Sequence, residues 1–95
     1  MTTYKLIEKT RGRNVLWGEL NGEEVCNDLR QYNDEDLEID FMGIDSIDGL
    51  FIRMVFVKLL DERTNKNVKF INIEHEAIYY YLNYYNLINK GDRVR

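Results

Sequence analysis

The chain has no proline, one cysteine (Cys26), one histidine (His75), one tryptophan (Trp17) and only six glycines. Each shortage excludes something. A single cysteine cannot close an internal disulfide, so the fold must be held by its core, as expected in a reducing compartment. A single histidine leaves no His-rich metal site. Without proline, and with few glycines, there is little material for long irregular loops, and the connections should be short. Basic residues are also scarce: 13 Lys and Arg against 17 Asp and Glu give a net charge of -4. That balance disfavours non-specific attachment to DNA, RNA or anionic membranes, although Lys90, Arg93 and Arg95 make a basic C-terminal tip. The most apolar run, residues 50–60, is interrupted by Arg53 and Lys58 and is far too short to span a bilayer. Met1-Thr2-Thr3-Tyr4 opens without the apolar segment of a secretory leader, so a cytoplasmic protein is expected.

What remains is an ordinary globular composition, 44% hydrophobic and 32% charged, and enough chain for one domain, residues 1–95, around one modest core. Weak alternation over residues 4–8 suggests a first strand, and residues 14–18 read as a second short strand or the rim leading to a helix. Asn21-Gly22-Glu23-Glu24 has the form of a capping box that opens a helix over 22–32, with Val25, Cys26 and Leu29 inward. Leu37, Ile39 and Phe41 recur at period two and mark a strand with one buried face. A second helix follows from residue 48 or 49 to about 63, with Ile52, Val55, Phe56, Leu59 and Leu60 as its core stripe. Leu50, Met54 and Val57 form a further apolar stripe on the other side, where a monomer's surface helix normally needs only one. Residues 68–73 read as another strand. A third helix spans about 75–89, with Ile78, Leu82, Tyr85 and Ile88 or Asn89 inward and Gly91 placed to cap it. Strands alternating with helices predict an α/β fold. The expected form is a mixed sheet of four or five strands, mainly parallel with an antiparallel N-terminal edge, packed with three helices.

The ordered motifs Asp40-Phe41-x-Gly43-Ile44-Asp45-Ser46-Ile47-Asp48, Phe51, Phe56-x-Lys58-Leu59-Leu60 and Val68-Lys69-Phe70-Ile71-Asn72-Ile73 resemble the STAS superfamily of anti-sigma-factor antagonist domains. The likeness is strongest to its short bacterial STAS-like branch and runs from Tyr4 to Leu87. The resemblance implies a regulatory protein-binding module without enzymatic activity or cofactor, whose partner is a histidine-kinase-like ATPase or another regulatory protein. It also implies a phospho-acceptor at the start of the second helix. Here those positions are Gly49 and Leu50, which cannot be phosphorylated. Ser46 is the nearby hydroxyl, two residues early.

Several residues invite chemical readings. Asp45 and Asp48, with Asp40, are carboxylates that a Mg²⁺ site would need; the simpler reading makes Asp45 and Asp48 turn and N-cap residues of the second helix. His75 sits between Glu74 and Glu76 at a helix start, and Cys26 lies on a core-facing position. Tyr79, Tyr80, Tyr81, Tyr84 and Tyr85 are too many for one helix face to bury, and tyrosine suits recognition surfaces. The expected function is therefore docking of a protein partner through the 43–49 loop and the second helix. The contact residues would be Asp45, Ser46, Asp48, Leu50, Arg53, Met54, Val57 and Lys58, with no metal, nucleic acid or membrane involved. Two other readings are a homodimer seam made by the same stripe, and a small phage or mobile-element inhibitor of a host enzyme.

Overall fold

A computed structural model describes residues 1–88 and has an α/β architecture. Strand β1 (Thr2–Lys5) runs into a 3-10 turn (Leu6–Lys9), and β2 (Val15–Leu16) leads to helix α1 (residues 18–30). Strand β3 (Leu37–Asp40) and the two-residue β4 (Ser46–Ile47) precede helix α2 (residues 49–62). Strand β5 (Val68–Ile71) and helix α3 (Glu76–Tyr84) complete the described chain.

The strands do not form one mixed sheet. They form a three-stranded sheet in the order β1-β3-β5 and a separate ribbon of β2 and β4. Every pairing is parallel, including β1 on β3, so the expected antiparallel N-terminal edge is absent. The reason is the length of the connection. Between β1 and β3 the chain makes the 3-10 turn, β2 and all of α1, a crossover that returns it to the starting end of the sheet. Such crossovers join parallel strands, whereas antiparallel neighbours need only a tight hairpin.

Helix α1 starts four residues before the predicted point. Its first turn, Gly18–Gly22, is wide and π-like and runs into Glu23–Arg30. Asn21 is therefore no N-cap. It is buried inside the helix, where its Oδ1 accepts from the Trp17 N–H (3.0 Å) and its Nδ2 donates to the Lys9 carbonyl (2.9 Å). Helix α2 also contains a π stretch, Ile52–Val57, in which the Lys58 N–H reaches back five residues to the Arg53 carbonyl. Helix α3 closes early through Asn86, which takes the left-handed conformation at φ 59° while Leu87 N–H donates to the Leu82 carbonyl (2.9 Å). Asparagine is the usual substitute for glycine at that cap. The predicted inward Asn89 and the capping Gly91 lie outside the described residues.

All four phenylalanines of the chain meet in the core. Phe56 is central, with ring centroids 5.8 Å from Phe41, 5.5 Å from Phe51 and 5.3 Å from Phe70. The cluster ties the end of β3 and the middle of β5 to two turns of α2, and Leu37, Ile39, Val55 and Ile78 extend it. At the far end of the sheet Arg63 is buried and donates to the carbonyls of Glu35 and Asn65, tying together the turns that lead into β3 and β5. Burial holds its guanidinium below the ordinary arginine range, against the opposing pull of Asp34 and Asp36.

Candidate functional site

The loop after β3 is built from its carboxylates. Asp40 Oδ1 accepts from the Met42 N–H (2.9 Å) and from Asn72 Nδ2 (3.0 Å), closing a turn that Gly43 completes at φ 83°. Glu74 accepts from the Gly43 N–H (2.7 Å), and His75 Nε2 lies 3.2 Å from Asp45 Oδ1. Two side chains from the approach to α3 thus hold residues 43–45. The sequence pattern makes Asp45 a turn or cap residue. Its side chain instead meets His75, while its backbone N–H donates to Asn14 (2.7 Å).

Asp48 does more than cap α2. Its Oδ1 accepts from the Phe51 N–H (2.8 Å) and also from the Gly18 N–H (3.0 Å), so one oxygen serves the first turns of both α1 and α2. Two helices that start at one carboxylate must lie close together, and the glycines allow it. A β-carbon on Gly18 would stand 2.4 Å from Leu50 Cγ, and one on Gly22 would stand 2.5 Å from Met54 Sδ. Leu50 and Met54, predicted to face away from the core, therefore lie against α1. Leu50 is still 40% exposed and Val57 37%, and Met54 is half-buried. Arg53 and Lys58 are exposed beside them.

Two shallow depressions border this stripe. One, of about 480 Å³, lies at the α1 side of the start of α2 and is lined by Arg13, Trp17, Leu20, Asp48 and Leu50 among others. The second, of about 530 Å³, lies at the other end and on the α3 side, with Arg53, Val57, Lys58, Tyr85 and Leu87 in its wall. Arg53 Nη1 donates to the Tyr85 hydroxyl (3.0 Å) and thereby links α2 to the end of α3. The structure thus brings Leu50, Arg53, Val57 and Lys58 onto one surface. It sets Asp45 apart with His75 and uses Asp48 as an internal fastener. Ser46 is exposed on β4, and its hydroxyl has no hydrogen-bond partner among the described residues.

Sequence reasoning missed Trp17, which is 46% exposed beside Leu50. The one signal in the sequence was the residue type itself, a lone tryptophan; its place just before α1 became apparent only in the fold. Of the five tyrosines, Tyr79 and Tyr85 pack against the core, whereas Tyr80, Tyr81 and Tyr84 point outward. Cys26 is half-buried against the core.

No serine, threonine or cysteine side chain is hydrogen-bonded to His75 among the described residues. No group of three or more His, Cys, Asp or Glu among the described residues is placed to hold a metal ion. No helix of the described residues is long and apolar enough to cross a membrane.

A separate polar network joins β1 to α1. The buried Tyr4 hydroxyl donates to Asp28 Oδ2 (2.6 Å), and Lys9 Nζ lies 3.1 Å from the same oxygen. Burial and the bond to Asp28 push the Tyr4 phenol above its ordinary value, and the Asp28 contact likewise raises Lys9. Burial works to raise Asp28, but the bonds from Tyr4 and Lys9 outweigh it and hold the carboxyl below its usual value of 3.8. A phenol kept protonated and an ammonium kept charged make a clamp, not a nucleophile or base. Because the folded value is depressed, the clamp stabilises above the unfolded pKa, and that stability is lost as pH falls through the folded value. Asp28→Asn is therefore expected to flatten the decline of the urea midpoint below about pH 4. Parallel declines in both proteins would show that Asp28 carries no pH-linked stability.

Comparison of the chain with protein-family models, with curated proteins and with solved structures finds no match to any of them.

Proposed function

We propose that this chain is a non-enzymatic regulatory module that docks a partner protein on the surface formed by the start of α2 and its outward stripe. The observation that carries the reading is the pairing of exposed Leu50 and Val57 with Trp17, Arg53 and Tyr85 around two depressions. Tryptophan, tyrosine and arginine are the residues most enriched at binding hot spots, and their pairing with partly exposed aliphatics is typical of an unoccupied interface. The STAS-like resemblance of residues 40–48 supports a regulatory role and directs attention to the same end of α2. It also proposes a four- or five-stranded sheet ancestry, of which the β2–β4 ribbon would be the detached part.

Phosphorylation is a subsidiary element of this reading. With Gly49 and Leu50 at the family's acceptor positions, Ser46 is the hydroxyl in reach of a kinase. A phosphate there would add negative charge between Asp45 and Asp48 at the start of α2, where the partner is proposed to dock.

Arg53→Glu tests the surface without disturbing the core. Bait protein captures partners from a lysate of its source cells, and calorimetry then compares wild type with the variant. Loss of at least about tenfold in affinity is expected for reversal of a charge at a docking surface. Unchanged binding, with an unchanged thermal midpoint, removes this surface from the function. Sedimentation of the isolated chain tests self-association through the same stripe: a dimer lost on Leu50→Glu would replace the partner with a second copy.

A further inference from the structure

Helix α3 carries an exposed face that neither the core nor the docking surface proposed above uses. Ala77, Tyr80, Tyr81 and Tyr84 recur at i, i+3, i+4 and i+7, which puts all four on one side of the helix. Ile78 and Leu82 are buried on the other. Ala77 is exposed, and Tyr80 and Tyr84, each 70% exposed, are the most exposed aromatic side chains among the described residues. Tyr84 is braced from below. Its ring stands edge-on to Tyr85 with centroids 5.1 Å apart, and Arg53 holds the Tyr85 hydroxyl in turn.

The outer face of a surface helix is normally polar and charged. From Ala77 to Ile88 there is no Asp, Glu, Lys, Arg or His, in a chain of which 32% is charged. The outward faces of the other two helices do carry charge: Glu23, Glu24 and Arg30 on α1, and Arg53, Lys58 and Asp61 on α2. A molecule of net charge -4 repels its own copies over most of its surface, and that repulsion is least at a face without ionised groups. The same neutrality offers no cation to a phosphate backbone and no carboxylate to a basic partner.

The order of side chains along the stripe supplies a second argument. Ala77 and Tyr84 stand roughly 10 Å apart along the axis, at 1.5 Å per residue. A second α3 laid antiparallel about a twofold axis between Tyr80 and Tyr81 sets Ala77 opposite Tyr84 of the second copy, and Tyr80 opposite its Tyr81. The one small side chain of the stripe then faces a ring, and does so twice, as a self-complementary twofold contact requires. A parallel pairing would set ring against ring at Tyr84 and leave a gap at Ala77. We infer that α3 is a self-association surface, on which two copies of this chain pack antiparallel with Tyr84 of each over Ala77 of the other. With about 200 Å² in a whole aromatic side chain, the exposed parts of the three rings come to about 350 Å² per copy. The two copies together then bury about 700 Å² of ring surface, less than the roughly 1,200–2,000 Å² of a stable complex, so the dimer is weak and concentration-dependent.

The test follows the full chain by sedimentation from about 10 µM to about 1 mM, the range suited to a contact of this size. Amide shifts in a ¹⁵N correlation spectrum recorded on dilution locate the contact. A monomer–dimer equilibrium is expected, with shifts concentrated on residues 76–87. Ala77→Tyr sets ring against ring and Tyr84→Ala sets small against small, and each should weaken the dimer at least about tenfold. Both positions are exposed, so the thermal midpoint of the dilute monomer should stay in place. The exchange variant carrying both substitutions rebuilds the pairing in reverse and should return to within about threefold of wild type, since the two changes act on one contact. Leu50→Glu should leave the dimer unchanged. A chain that stays monomeric at the highest concentration overturns the inference, and so does a dimer indifferent to Ala77→Tyr and Tyr84→Ala. A dimer abolished by Leu50→Glu moves self-association to α2 and overturns it as well. An exchange variant no stronger than the single variants overturns the antiparallel arrangement, and the inference with it. Loss of partner capture at the α2 surface leaves the inference standing, because the readout here is self-association.

Discussion

Phe56→Ala is expected to destabilise the protein by about 3–5 kcal/mol, the usual cost of removing a buried aromatic ring whose space is not refilled. Phe56 has no exposure and touches the other three phenylalanine rings, so its loss opens a void at the point where β3, β5 and α2 converge. A small domain has a total stability of about 5–15 kcal/mol, so the variant should unfold at a much lower urea concentration and partly populate the unfolded state at 37 °C. Phe56→Leu fills most of the volume and should lose much less. Urea unfolding followed by circular dichroism and by Trp17 fluorescence checks both. A loss below about 1 kcal/mol for the alanine variant would mean that the rings relax into the void and that the cluster is not the centre of the core.

Asp48→Ala should be the most damaging change at the candidate site, at about 2–4 kcal/mol. Loss of an N-cap costs roughly 0.5–2 kcal/mol, and a buried N–H left without an acceptor costs about 1–3 kcal/mol more. Here both penalties fall on one substitution, because the same Oδ1 serves Phe51 and the buried Gly18. Asp48→Asn keeps an oxygen in place and is expected to cost less than about 1 kcal/mol, since asparagine caps nearly as well. Hydrogen exchange gives a local readout: the Gly18 and Phe51 amides should exchange faster in the alanine variant and remain protected in the asparagine one. Equal stability of the two variants would show that the carboxylate does not fasten the helix starts. The result also bears on function, because both walls of the first depression, Trp17 and Leu50, stand on the helix starts that Asp48 joins.

The core was largely legible from the residue pattern. Period two at Leu37, Ile39 and Phe41 and the stripe of Ile52, Val55, Phe56 and Leu59 are buried as predicted. Leu60, also predicted inward, is only partly covered. The N-cap role of Asp48 was legible as well, since a carboxylate before an apolar helical run has few other uses. The start of α1 was not. Asn21 has the right type and spacing for a capping box, but tertiary contact with the Lys9 carbonyl competes for its side chain and the helix extends past it to Gly18. Local propensity cannot foresee a partner 12 residues away. The direction of β1 is not legible for a related reason: the weak alternation over residues 4–8 carries no information about whether a neighbour runs with or against the strand, and the strand itself is Thr2–Lys5.

From its amino acids alone the chain determined an α/β domain with buried stripes on β3 and α2 and a second apolar stripe on α2, because burial patterns are written in side-chain periodicity. Only the tertiary structure decided what that stripe meets. Gly18 and Gly22 come from a different helix, and their lack of side chains lets Leu50 and Met54 approach α1, leaving Leu50 and Val57 partly exposed. The placing of Trp17 beside Leu50 and of Tyr85 beside Val57 is likewise a property of the packed helices. Side chains distant in sequence become a surface only when the elements carrying them are brought side by side.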